Sequence, residues 1–258
     1  MPAETVPKAL PQPLPAGACV LALDTSTERL ALGLQGPGGP WTLLADGGAA
    51  ASATLLPRIH ALLAQARLRL ADLDAVAFGR GPGAFTGLRT ACAVAQGLGL
   101  GLARPLLPID SLLIVAEDAR AQAAPHDGTL DVGVAMDARM DEAYAGRYRW
   151  CDGRWRVLQP PMLFTLPALA EAWADEPRQL LAGSAMAAFG PRLLLPAACR
   201  RVDVERDRAG ALLRLALQAA LAGDGVDAAA ALPLYLRDKV ALTTHERDLA
   251  RAAAAAAR

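Results

Sequence analysis

The chain has 258 residues, 53% of them hydrophobic, and its 26 basic and 26 acidic side chains leave a net charge of zero. That length and apolar content bury a sizeable core, as one large domain or two small lobes. Without a basic field to draw a polyanion, an autonomous nucleic-acid binder is disfavoured.

Residues 1–17 hold five prolines and no apolar core of signal-peptide length, so they read as a disordered tail. Cys19–Leu23, Leu30–Leu34 and Trp41–Ala45 read as three short strands, with a Gly/Pro turn between the last two. Leu55, Leu56, Ile59, Leu62 and Leu63 recur at helical spacing and predict a helix over Ala51–Arg67. A strand Ala75–Phe78, a glycine loop, a helix Leu88–Leu102, a strand Leu106–Ile109 and a helix Ser111–Gln122 complete the first half. The second half opens in the same way. Strands Leu130–Met136, Glu142–Trp150 and Trp155–Leu158 are followed by a helix near Leu166–Trp173, a strand Gln179–Ala182, and helices near Ser184–Leu194 and over Arg208–Ala222. Asp24 and Asp137 end the first strand of each half, which points to an internal duplication.

The four cysteines lack C-x-x-C spacing and sit in or beside apolar segments, so a reducing cytoplasm is expected. No run of 18 apolar residues predicts a membrane span. Only two basic residues are lysines, Lys8 and Lys239, and asparagine is missing; GC-rich codon usage accounts for that bias.

The segment Phe78-Gly79-Arg80-Gly81-Pro82-Gly83-Ala84-Phe85-Thr86-Gly87-Leu88-Arg89 carries the most information. A strand–loop–helix unit of this kind offers backbone N–H groups to a phosphate, a carboxylate or another backbone. A P-loop is excluded because its lysine is missing. A dinucleotide fingerprint through Gly79, Gly81 and Ala84 has its next acid, Asp110, too far along the chain.

This segment, with Ala95-Gln96-Gly97-Leu98 behind it, resembles the TsaB (YeaZ) family, accessory proteins of bacterial tRNA threonylcarbamoyladenosine synthesis. Leu23-Asp24-Thr25-Ser26-Thr27 resembles the family's opening strand and turn. Met136-Asp137-Ala138-Arg139-Met140-Asp141-Glu142-Ala143-Tyr144 resembles its mid-chain signature, and Pro233–Ala241 its closing one. One departure is Ala51-Ser52, where relatives often have His-Ser. The resemblance implies an α/β chain with a duplicated actin-like ATPase (RNase H-like) fold. Two lobes would have mixed sheets flanked by helices, over residues 18–125 and 126–242, with an Ala/Arg-rich tail at 243–258. It also implies a non-catalytic subunit that binds and activates the transferase TsaD, working with the ATPase TsaE. The product is a threonylcarbamoyl group on N6 of the adenosine 3′ of the anticodon in tRNAs reading ANN codons. ATP and a metal ion would belong to those partners, and tRNA would be met only through the complex.

The residues themselves offer little chemistry. Asp24, Thr25, Ser26 and Asp137 are the candidates for nucleotide binding, but no glycine flanks either aspartate, so each is expected to cap its own turn. TsaD-like metal binding needs a His-x-x-x-His pair, whereas His60, His126 and His245 are scattered. Gly183-Ser184-Ala185 is no nucleophile elbow. An actin-like ATPase or small-molecule kinase, and a peptidase acting on TsaD, remain as alternatives.

What remains is surface. Ala91, Ala95, Gly99 and Ala103 repeat every four residues, with Val94 and Leu98 beside them, on a helix apolar nearly all round. In TsaB relatives the two helices Ala51–Arg67 and Leu88–Leu102 join the protein to itself or to TsaD. The expected interface is Leu55, Ile59, Leu62, Leu63, Arg80, Thr86, Arg89, Ala91, Val94, Ala95, Leu98 and Gly99, serving a homodimer in isolation.

Overall fold

An unbroken apolar run forms a strand covered on both faces. Val20–Asp24 (β1) is such a run, with every residue buried. In the computed structural model, which describes residues 12–123, 128–174, 179–195 and 199–237, it is the middle strand of a five-stranded sheet ordered β3-β2-β1-β4-β5. Arg29–Gly36 (β2) and Gly39–Asp46 (β3) extend the sheet as an antiparallel meander. Ala75–Gly81 (β4) and Leu106–Asp110 (β5) are added in parallel. Parallel neighbours need crossovers, and these are Ala51–Ala66 (α1) and Phe85–Leu102 (α2).

After Ser111–Gln122 (α3) the pattern repeats. Leu130–Asp137 (β6) takes the central place of a second sheet, ordered β10-β9-β6-β7-β8. Glu142–Cys151 (β7) and Arg154–Thr165 (β8) form its meander. Leu166–Ala172 (α4), Leu180–Ala182 (β9), Ala185–Phe189 (α5) and Arg200–Val202 (β10) supply the parallel side. Read outward from β1 and from β6, the two sheets have one topology. The chain has the duplicated actin-like (RNase H-like) α/β fold.

The differences from expectation are local. The glycine loop is shorter than expected, because α2 starts at Phe85. Strand β8 runs seven residues past Leu158, and β10 has no apolar pattern that would announce it. The expected helix near Ser184–Leu194 contains only one α-helical turn or so, followed by a 3-10 turn at Gly190–Arg192. Residues 12–17 are not a free tail: the Leu14 N–H donates to the Ala220 carbonyl at 2.8 Å, and Leu14 packs on the core. Residues 1–11 and 243–258 lie outside the described residues.

The larger correction concerns the lobes. Each half gives its last helix to the other half's sheet. Helix Arg208–Ala222 (α6), which follows the second half, packs Ala211, Leu212 and Ala216 on Val20, Ala22, Ala75 and Ala77 of the first sheet. Helix α3, which follows the first half, packs Leu112, Val115, Ala116 and Ala119 on Leu130, Val132, Val134 and Tyr148 of the second. Helix α6, inside the second lobe expected over 126–242, thus packs on the first sheet.

The two exchanged helices are pinned by Glu117 of α3, which is fully buried. Its carboxylate accepts from Arg120 (2.9 Å at each oxygen), from Arg214 of α6 (2.7 Å) and from the Trp155 indole of β8 (3.0 Å). Burial resists its ionisation, but the two guanidiniums and the indole outweigh that and hold its pKa below the ordinary 4.5.

Two measurements check this arrangement. Leu212→Ala empties a fully buried site and should cost about 2–5 kcal/mol in urea unfolding. Its amide-exchange losses should appear in the first sheet. Because Glu117 has a lower pKa folded than unfolded, its stabilisation is complete above about pH 4.5 and is lost as pH falls through the folded value. Glu117→Gln should therefore flatten the acid limb of a plot of Tm against pH.

Candidate functional site

The turns after β1, β4 and β6 meet at a cleft of about 400 Å³ between the lobes. Asp24 ends β1 and has no solvent exposure. Its Oδ1 accepts from the Ser26 N–H (3.3 Å), and its Oδ2 from the Ser26 hydroxyl (3.0 Å) and from Nε of Arg208 (2.7 Å). Arg208 also donates to Ser26 Oγ (2.9 Å) and pairs with Glu205. Burial alone would lower the arginine pKa. The carboxylates of Asp24 and Glu205 outweigh it and hold the pKa above the usual arginine value.

The glycine loop is fitted to this cluster and not to an open site. A Cβ on Gly79 would lie 1.9 Å from Asp24 Oδ1, and one on Gly87 would lie 1.8 Å from the Thr25 carbonyl. The Thr25 hydroxyl donates to the Gly87 carbonyl at 2.7 Å, and the Ala84 N–H donates to the Ser26 carbonyl at 2.8 Å. Asp24, Thr25 and Ser26 thus spend their polar atoms on one another, on Arg208 and on the loop.

The fold family would place a metal–nucleotide group here. That group needs free carboxylate oxygens around the ion and backbone N–H groups for the phosphates. The residues present do not fit it. Asp137, at the end of β6, caps its own turn through Arg139 N–H (2.8 Å), as the sequence led one to expect. Among the described residues no three His, Cys, Asp or Glu side chains group to hold a metal. His60 is exposed on α1, and His126 and His245 lie outside the described residues.

Arg80 is half-buried. It sits at the end of β4 with its Nε buried and without a hydrogen-bond partner, within electrostatic reach of Asp110 and Tyr148. Asp110 caps α3 through Leu112 N–H (2.9 Å) and accepts from the Tyr148 hydroxyl of the other lobe (2.7 Å). Burial pushes both the Asp110 carboxyl and the Tyr148 phenol upward. The expected interface needs the same correction. Leu55, Ile59, Leu62, Leu63, Ala91 and Ala95 belong to the chain's own core, and Gly99 is buried against Leu106. The apolar surplus on α1 and α2 is consumed by packing them on each other and on the first sheet. Of the expected residues only Thr86 and Arg89 are exposed, while Val94 and Leu98 are half-buried. The outward faces are instead Ala53, Leu56 and Ala61 of α1, and Ala93, Gly97, Leu100 and Gly101 of α2.

Three side chains that tie the cleft and the lobes together were not singled out by the sequence: Arg208, Glu117 and Arg237. For Arg208 a signal existed. It occupies the first position of α6, where the helix dipole disfavours a cation, so a specific anion had to hold it.

The family model described as "TsaD: tRNA N6-adenosine threonylcarbamoyltransferase" matches residues 48–187. The TsaB protein of Escherichia coli K12, named for tRNA threonylcarbamoyladenosine biosynthesis, is 31% identical over 249 residues, covering 86% of this chain and 96% of that protein. TsaB of Haemophilus influenzae is 40% identical over 125 residues, 48% of this chain and 51% of that one. The solved structure of YeaZ from Pseudomonas aeruginosa superposes with a TM-score of 0.75 at 36% identity, covering 85% of this chain and all of that one.

Removing the guanidinium tests the cluster. Arg208→Ala leaves Asp24 buried without its counter-charge and should cost about 3–5 kcal/mol in denaturant unfolding. Asp24→Asn combined with Arg208→Met should recover part of that loss.

Proposed function

The chain belongs to the TsaB (YeaZ) family and so acts in tRNA threonylcarbamoyladenosine biosynthesis, and we propose that it does so as a non-catalytic subunit that binds and activates the transferase TsaD. The observation that carries this reading is the closed Asp24–Ser26–Arg208 cluster, in which both carboxylate oxygens of Asp24 already accept hydrogen bonds where an actin-like ATPase would hold a metal. The same cluster opposes a kinase or ATPase. A peptidase acting on TsaD finds no support among the described residues, because Ser184 Oγ meets the Asp137 N–H and the Met136 sulfur but no histidine.

Binding would use the outer faces of α1 and α2. Leu56 and Leu100 are exposed there, the latter 78%, and at about 25 cal/mol per Å² their burial favours association. Gly97 and Gly101 have no atom within 4 Å of a built Cβ, so a partner helix meets no side chain there. In isolation this face would pair with its copy in a homodimer. In the complex TsaD would take the same face, with TsaE supplying ATP turnover and tRNA reached only through the assembly in the cytoplasm. Among the described residues no helix is long and apolar enough to cross a membrane.

Three outcomes check the reading. Gly97→Arg should halve the mass seen by light scattering and leave thermal unfolding nearly unchanged. Ala95→Arg, at a buried position, should unfold the protein instead. Titrating TsaD should dissolve the homodimer in proportion to the heterodimer formed, and a homodimer contact that survives saturation on these helices would contradict a shared face. The purified chain alone should hydrolyse no ATP; turnover without partners would overturn the non-catalytic assignment.

A further inference from the structure

Residues Ala231–Arg237 form neither helix nor strand, yet they are anchored at Ala231, Leu234, Tyr235 and Arg237. At the start, the Ala231 carbonyl accepts from the Gln96 amide of α2 at 2.8 Å. The Leu234 N–H donates to the Arg80 carbonyl at the end of β4 at 2.7 Å. The Tyr235 hydroxyl accepts from Nε of Arg89 at 3.2 Å, and its ring lies 5.2 Å from that of Phe85, over which the Arg89 guanidinium sits at 3.9 Å. All of these partners are in the first lobe. Arg237 then reaches the second: it donates to the Ala138 carbonyl at 2.9 Å and pairs with Glu142 at 2.6 Å. Only two residues, Tyr235 and Leu236, separate Leu234 from Arg237, three steps of chain that extend to about 10 Å. The segment's last four residues line the cleft.

The far anchor is a strained one. Arg139, Met140 and Asp141 have φ values of 64°, 56° and 58°. Three consecutive left-handed residues without a glycine persist only when their surroundings hold them. The guanidinium of Arg237, donating to the first carbonyls of this turn, is part of that hold. The exchanged helices α3 and α6 also join the lobes, and their first residues, Ser111 and Arg208, line the same cleft.

We propose that Ala231–Arg237 is a strap that holds the two lobes closed over the cleft, anchored at α2 through Arg89 and Tyr235 and latched on the left-handed turn through Arg237. Loosening either end releases the other, so a change at the first turns of α2 is felt across the cleft at residues 138–142. This does not depend on the partner reading, and its test uses the chain alone.

The test is hydrogen exchange followed by mass spectrometry on the full chain and its Arg89→Ala and Arg237→Gln variants. Arg89→Ala should speed exchange at least tenfold in residues 138–142, which it does not touch. Arg237→Gln should do the same at residues 80–88. Peptides covering the core of α6 should keep their wild-type protection in both. Acceleration confined to the mutated end, or no acceleration, overturns the strap. If either variant also loosens α6, Tyr235→Phe reads the same coupling, because it keeps the ring and removes only the acceptor of the Arg89 hydrogen bond. Faster exchange at 138–142 in that variant supports the strap, and unchanged exchange there refutes it.

Discussion

The guanidinium of Arg208 is the constraint around which the rest is arranged. It brings a full charge into an almost fully buried position at the edge of the cleft, against two carboxylates and a serine hydroxyl. Taking such charges out of water costs several kcal/mol per ion, so the arrangement survives only while every partner is in place. It therefore specifies position more than it adds stability. The first residue of α6 must meet the last residue of β1, which fixes the register of the exchanged helix on the first sheet. With α6 placed, the apolar faces of α6 and α3 meet back to back and the two sheets follow.

The glycine loop depends on the same cluster. A buried carboxylate and its neighbouring turn need room, and side chains at Gly79 and Gly87 would occupy it. The glycines that look like a phosphate cradle are thus spent on letting β4 and α2 close over residues 24–26. An anion-binding motif and a packing motif share one sequence pattern because both need backbone that approaches closely. What separates them is whether the N–H groups and carbonyls are already matched, and here those of Ala84, Ser26 and Gly87 are.

Helices α1 and α2 show a related ambiguity. Their apolar residues cover more than half of each helix, which suggested a partner for the surplus. The surplus has an internal use, because the helices lie side by side and each must cover both the sheet and its neighbour. The outward surface is made of what is left, chiefly alanines and glycines with single leucines. Recognition by such a face relies on close backbone approach more than on large anchoring side chains.

The sequence by itself determined the element order, the duplication and the family, since these rest on local periodicity and on motifs that sit within one turn of chain. Most strand and helix boundaries from Val20 to Ala222 fall within a few residues of where apolar spacing, caps and glycines put them, and Ser111–Gln122 and Arg208–Ala222 coincide. Asp24 and Asp137 were legible as turn caps, because that hydrogen bond reaches only two residues along the chain. Only the tertiary structure decided that Arg208 closes the site from 184 positions away, that each half lends its last helix to the other, and which side of α1 and α2 faces water. Each of those is a choice between surfaces of equal apolar character or charges of equal sign. Such a choice is settled by distance in space, which periodicity along the chain does not encode.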